Sequence, residues 1–296
     1  MNKFFKTWRP SRALALLLLA ALVLATLIPL WMVLRTALSH PHSLHAHPAA
    51  FFPTEPTLLN FQRVLGFLSQ EENMALGGSG AEVNFQRAFF NSLVFTTVVV
   101  LGQVFFSAMA AYAFARLRFP GKNILFGMIL GSMMIPGIVL FIPNFVLIKE
   151  LGWLNSMKGM VAPFLLLSAF NIFFLRQFFL SIPRDLEEAA MLDGASHPYI
   201  FWRIVLPLSA APLATVAILT GIAAWNEFFW PFLVAKDESA QVLTVALQTF
   251  KSQTPQGSPD WSGLMAATAL TILPTVALLL VLGRRVVESM QFSGGK

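Results

Sequence analysis

The chain is 296 residues long, 56% hydrophobic and only 11% charged; a soluble domain has roughly 45–50% apolar and ~25% charged residues, so an ordinary soluble globular fold is excluded. It contains no cysteine, which removes disulfide frameworks and thiolate metal centres. Its formal net charge of +6 fits basic residues on the cytoplasmic flank of a polytopic membrane protein better than a nucleic-acid surface, because the cations fall between long apolar runs.

A bilayer core of ~30 Å takes about 20 apolar residues as a helix. Six runs of that order follow one another, which predicts an all-α integral membrane fold with six transmembrane helices. Strands are disfavoured, since an open sheet in lipid leaves amides unpaired and the runs lack the alternation of a barrel. Residues 1–12, with Lys3, Lys6, Arg9 and Arg12, form a cytoplasmic N-terminal segment. The first helix covers residues 13–34, Ala13 to Leu34. It exceeds a signal-peptide apolar region and no small-residue cleavage site follows, so it is read as a retained helix.

Residues 35–87 form an external region, rich in aromatics (Phe51, Phe52, Phe61, Phe67) and broken at Gly77-Gly78-Ser79-Gly80; it predicts a small external structure with a flexible stretch. Its His40, His42, His45 and His47 have a zinc-compatible composition. With no carboxylate or thiolate close by, and Pro41 and Pro48 pointing to an irregular segment, a solvated loop is the expected reading. Residues 88–285 hold the core, with helices expected at Leu93–Ala115, Ile124–Ile148, Gly159–Leu175, Leu208–Val234 and Leu264–Gly283. Within the second of these, Pro136 and Pro143 free backbone carbonyls, as a flexing gate or as a static bend. Residues 286–296 form a cytoplasmic tail.

Six spans place both termini on one side. That side carries thirteen of the 20 Lys and Arg: the four N-terminal ones, Arg116, Arg118, Lys122, Arg176, Arg184, Arg203, Arg284, Arg285 and Lys296. The other side carries seven, in longer connections: Arg35, Arg63, Arg87, Lys149, Lys158, Lys236 and Lys251. Both termini are therefore expected in the cytoplasm, and with them the polar insert "SIPRDLEEAAMLDGASHPYIFWRIVLP" at residues 181–207.

In that insert, Ser181-Ile182-Pro183 predicts a helix start, followed by Asp185, Glu187 and Glu188 near the positive end of the dipole. Leu186, Ala189 and Ala190 share one small apolar face opposite a charged one. Asp193-Gly194 ends the helix, and Ser196 and Pro198 start a second one that runs to Leu206-Pro207. The expected result is a helical elbow projecting from the membrane. Taken alone, these residues leave an ordinary connector equally open.

Glu188-Ala189-Ala190, three residues, Gly194, nine residues, then Ile204, Val205 and Leu206-Pro207 resemble the "EAA" signature of the membrane subunits of binding-protein-dependent ABC importers. "AYAFARLRFPGK" at 111–122, "MMIPGIVLFIPNF" at 133–145, "FFLRQFFLSIPRDLEEAAMLDGAS" at 173–196 and "WNEFFWPFLV" at 225–234 look like the carbohydrate-uptake branch, in particular the smaller six-helix permease of maltose-type systems. The resemblance covers about residues 88–290. It implies the type I permease fold, with the elbow as a coupling helix contacting a cytosolic ATPase through Glu188, Ala189, Ala190, Asp193, Gly194 and Ala195. Small alanines let a second surface come close, glycine permits a sharp turn, and acids can meet basic groups.

The resemblance also implies the partners: a second homologous permease, two ATPase subunits and an extracytoplasmic sugar-binding protein. ATP and Mg would bind the ATPase, and no cofactor is expected in this chain, which has no G-x-x-x-x-G-K-[ST] motif and no catalytic constellation. Relatives often end in a glycine-containing tail near a lysine, of which Gly294-Gly295-Lys296 is all that is kept here.

Glu227 is the one acid inside an expected span, where an ionised carboxylate is costly. A rise of about 28 Å from Leu208 puts it near the outer interface. With Asn171, Trp225 and Asn226 it is a candidate for the sugar path; a helix-end acid satisfied by its neighbours is equally consistent. Asn171 can equally make an interhelical hydrogen bond. The expected function is a sugar-importer permease driven by ATP in a cell (inner) membrane. An ion-coupled carrier using Glu227 is the alternative, although no internal repeat of the kind carriers show is evident.

Overall fold

A computed structural model describes residues 10–47, 49–76, 83–252 and 259–292. Among them the chain is helical apart from connecting segments and a single bridge between Ser39 and Pro56. It divides into two compact units, Met1–Phe85 with Leu247–Thr271, and Gln86–Ala246 with Ile272–Lys296.

The first unit opens with α1 (Pro10–Ala37). Its leucines from Leu14 to Leu24 stand exposed on all sides, as expected of a helix solvated by lipid rather than by protein. Three short helices follow: α2 (Pro41–Ala46), α3 (Leu59–Val64) and α4 (Gln70–Ala75). The segment at residues 35–87, expected to form a small structure, thus holds three short helices, while the glycine-rich break at 77–80 lies outside the described residues. The histidine segment is helical rather than irregular: His40 Nδ1 accepts the His42 N–H at 3.4 Å at the start of α2. No group of three metal-ligating side chains occurs among the described residues.

Polar side chains knit this unit together. Asn60, fully buried, donates to the carbonyls of Ala37 and Ser39 at 2.8 Å each. Its own carbonyl accepts from Arg63 Nη1 at 3.0 Å. Arg63 also donates to Asn73 Oδ1 at 2.6 Å and pairs with Asp260. A Ser69–Glu72 capping box starts α4, and its hydrogen bonds from the Ser69 backbone and hydroxyl hold the Glu72 carboxyl below its ordinary pKa.

The second unit begins with α5 (Phe85–Arg116), which extends eight residues ahead of the apolar run. A helix satisfies its own amides in water as well as in lipid, so hydropathy does not mark its end. The next run is two helices and not one: α6 (Lys122–Ser132) and, after a 3₁₀ turn at Gly137–Leu140, α7 (Phe141–Glu150), bent by 96°. Pro136 precedes the 3₁₀ turn and, lacking an N–H, marks the break. Pro143 sits in the first turn of α7, where a missing N–H costs nothing.

The fourth run is α8 (Met157–Val161), a 3₁₀ turn and α9 (Ala169–Ser181), bent by 46°. The elbow comprises α10 (Arg184–Leu192), α11 (His197–Ile200), a π-helical turn at Phe201–Val205 and α12 (Leu206–Leu208). The chain bends by 79° at Ser209 into α13 (Ala210–Trp225), followed by α14 (Phe229–Val234) and α15 (Leu243–Ser252). The expected single span Leu208–Val234 is therefore corrected to a helix ending at Trp225 plus a short second helix. The expected outer loop from Ala235 to Ser262 likewise contains α15. Finally α16 spans Trp261–Phe292. Among the described residues, three helices are long and apolar enough to cross a membrane, and up to six spans result if each bent pair counts as one.

Two cores hold the second unit. One surrounds Trp230, fully buried among Phe95, Val99, Ile148, Met160 and Val234. Its indole N–H is shared between the carbonyls of Gly159 and Met160 at 3.2 and 3.1 Å. Gly159 is required there, because a Cβ would stand 2.2 Å from the Trp153 carbonyl oxygen. Gly159→Ala is expected to destabilise the protein by about 1–3 kcal/mol, read as a lowered Tm in detergent. The other core packs Ala108, Ala111, Tyr112 and Ala115 of α5 against Leu175 and Phe179 of α9 and Ile200 and Val205 of the elbow; the alanines let the helices approach closely.

Candidate functional site

The elbow is fixed at its start by one guanidinium. Arg116, in the last turn of α5, lies 2.6 Å from the Glu187 carboxylate, with both side chains under a tenth exposed. Its Nη2 donates to the Ile182 carbonyl at 2.6 Å. Arg116 therefore grips both the link before α10 and the first turn of α10. The expected charged face is corrected accordingly: Glu187 is 5% exposed, whereas Glu188 points to solvent. Ser181 does not cap the helix. Its hydroxyl donates to the Phe178 carbonyl at 2.7 Å, and Pro183 occupies the cap position without a side-chain hydrogen bond.

At the other end α10 closes in a Schellman turn. The Ala195 N–H donates to Ala190 at 2.9 Å and the Gly194 N–H to Met191 at 3.0 Å, with Gly194 at φ +85°. An L side chain rarely adopts that conformation, which explains the glycine. Ser196 and Pro198 then begin α11 as expected. Of the residues assigned to coupling, Glu188, Ala189, Asp193 and Gly194 are exposed. Ala190 and Ala195 are half-buried and pack on the second core. Leu186, on the apolar face, is itself 46% exposed, and beyond it Met191 and Leu192 are 43% and 90% exposed. The helix thus presents exposed leucine and methionine beside exposed acids.

The four candidates for the path separate. Asn171 and Glu227 line one cavity of about 220 Å³ with Gln103, Ser168, Thr220 and Phe170. Asn171 Nδ2 donates to Thr220 Oγ1 at 3.1 Å. Glu227, placed inside a span by hydropathy, lies past the end of α13, and its Oε1 accepts the Trp230 N–H at 3.1 Å at the start of α14. Trp225 lines a different, apolar groove of about 350 Å³ and packs edge-on to Phe89. Asn226 is exposed and donates to the Ile222 carbonyl at 2.8 Å. Gln103 went unnoticed in the sequence because nothing local distinguishes it from any other polar residue in a span.

The chain matches the family described as "Binding-protein-dependent transport system inner membrane component" over residues 103–291. It is 37% identical over 207 residues to the sn-glycerol-3-phosphate transport system permease protein UgpE of Yersinia enterocolitica, covering 70% of this chain and 73% of that protein. It is 32% identical over 265 residues to the protein of the same name in Shigella flexneri, covering 89% and 90%. Among solved structures it is similar to a chain in the crystal structure of a bacterial ABC transporter involved in the import of the acidic polysaccharide alginate. That likeness has a TM-score of 0.80 at 23% identity, over 96% of this chain and 99% of that one, and speaks for the fold. Nothing in these comparisons supports an ion-coupled carrier. Spanning helices, bent pairs, an "EAA" elbow and a family match over most of the chain lead to one assignment: this protein belongs to the binding-protein-dependent transport system inner membrane components, as a multi-pass permease subunit of an ABC importer.

Proposed function

We propose that the chain forms half of the translocation path for a sugar or oligosaccharide, completed by a second homologous permease. Two cytosolic ATPase subunits bind ATP and Mg and hydrolyse the nucleotide; one of them docks on α10. An extracytoplasmic binding protein delivers the cargo. Both termini and the elbow face the cytoplasm, a reading supported by the bias of Lys and Arg. The observation that carries the coupling role is the exposed acidic and apolar surface of α10, held against the bundle by the buried Arg116–Glu187 pair. A push on α10 is thereby transmitted to α5, and ATPase closure biases the bundle between inward and outward openings. Support for a sugar cargo comes from the carbohydrate-type motifs at 111–122 and 225–234.

The test is uptake in proteoliposomes holding both permeases, the ATPase and the binding protein. Saccharide uptake that requires ATP is expected, and uptake by this chain alone under a pH gradient would contradict the proposal. Gly194→Val provides a local check. No atom lies within 4 Å of the position its Cβ would take, so the substitution acts through the positive φ and not through a clash. It is expected to leave insertion intact and to reduce ATPase retention in a pull-down at least tenfold, since strain of about 1–2 kcal/mol unwinds the Schellman turn.

A further inference from the structure

We infer that the cavity bounded by Gln103, Ser168, Asn171, Thr220 and Glu227 is a subsite for a neutral, hydroxyl-rich group of the cargo, and that it disfavours anionic cargo. This deepens the importer reading and rests on it. The cavity lies between α5, the link before α9, α9 itself and the α13–α14 junction. At about 220 Å³ it falls below the ~300–1,000 Å³ of pockets that enclose a whole ligand, so it accommodates one ring-sized portion.

Its polar groups are arranged as a mixed set. The Gln103 amide, which both donates and accepts, has no hydrogen-bond partner among the described residues. Asn171 uses Nδ2 on Thr220, leaving Oδ1 without a protein partner among the described residues. The Ser168 hydroxyl oxygen accepts the Asn171 N–H at 3.4 Å, and its proton remains available. Glu227 spends one oxygen on the Trp230 N–H, and the other has no protein partner among the described residues. A sugar hydroxyl donates and accepts at once, so it can satisfy such a set from either side. The remaining wall includes Phe95, Phe164 and Phe170, apolar faces suited to the C–H face of a sugar ring.

Phosphate and carboxylate only accept hydrogen bonds and carry negative charge. Among the described residues no Lys or Arg lines the cavity, while Glu227 does. An anion seated there would meet a like charge with no cation to offset it, in a site of reduced dielectric. The similar proteins named for sn-glycerol 3-phosphate and the alginate importer handle anionic solutes, so the cavity distinguishes this chain's expected cargo from theirs.

The experiment is uptake by the complete reconstituted importer of a panel of radiolabelled neutral mono- to trisaccharides together with sn-glycerol 3-phosphate, glucose 6-phosphate and glucuronate. ATP-dependent uptake of a neutral saccharide is expected. Glu227→Gln and Gln103→Leu are each expected to lower that uptake at least tenfold at subsaturating substrate, in complexes that still co-purify with both partner subunits. Uptake of the anions by the wild type overturns the inference while leaving the importer reading intact. So does neutral uptake within twofold of wild type in both variants. No ATP-driven uptake of any solute by the wild type overturns the importer reading itself, and this inference with it.

Discussion

Arg116→Ala is expected to abolish ATP-driven uptake and to lower the stability of the second unit by about 3–5 kcal/mol, the usual cost of leaving one member of a buried ion pair behind. The Glu187 side chain is only 7% exposed and Arg116 4%, so the orphaned carboxylate cannot reach water without moving α10. The same substitution deletes the hydrogen bond to the Ile182 carbonyl at 2.6 Å, releasing the link into the elbow as well as its first turn. The double variant Arg116→Met with Glu187→Leu removes both charges and keeps apolar volume, so it should recover most of the lost Tm. Thermal unfolding in detergent of the two singles and the double checks this. A double variant as unstable as Arg116→Ala would show that the loss does not come from an unpaired charge.

The second large effect belongs to the first unit. Asp260 pairs with Arg63 and also accepts from the Ser262 hydroxyl at 3.0 Å and the Gly263 N–H at 2.9 Å, capping the start of α16. Asp260→Leu leaves Arg63 buried beside Asn60 without a counter-charge and uncaps the helix. A loss of about 3–5 kcal/mol for the pair and ~1 kcal/mol for the cap is expected. The readout is limited proteolysis: cleavage within residues 35–76 should accelerate at least tenfold over wild type. Unchanged cleavage would mean that the pair does not hold α3 in place.

Membrane class and the approximate position of the six apolar runs could be read from local composition, because lipid imposes its length requirement on each segment separately, whereas the elbow stood out from an ordinary connector through its "EAA" resemblance. Bends could not. Pro136 marks a 96° break while Pro143 sits harmlessly in a first turn, and Pro29 and Pro274 lie inside single long helices; the effect of a proline depends on where the helix around it begins. Glu187 and Glu188 look alike in the sequence. Only the rotational setting of α10 against α5 decides that the first is buried and the second exposed. Arg63 and Asp260 are 197 residues apart, a distance at which pattern reading has no purchase. Glu227 was misplaced within a helix because Phe228 to Val234 continues the apolar run, whereas the backbone stops at Trp225.

The central claim is that α10 meets a cytosolic ATPase. Because the chain has no native cysteine, Leu192→Cys at the 90% exposed tip of α10 gives a unique thiol for a membrane-impermeant maleimide. Labelling is expected in inverted vesicles, suppressed at least tenfold when the ATPase is bound, and absent in intact cells. Labelling of intact cells from outside, or labelling in vesicles that the ATPase leaves unchanged, would contradict it.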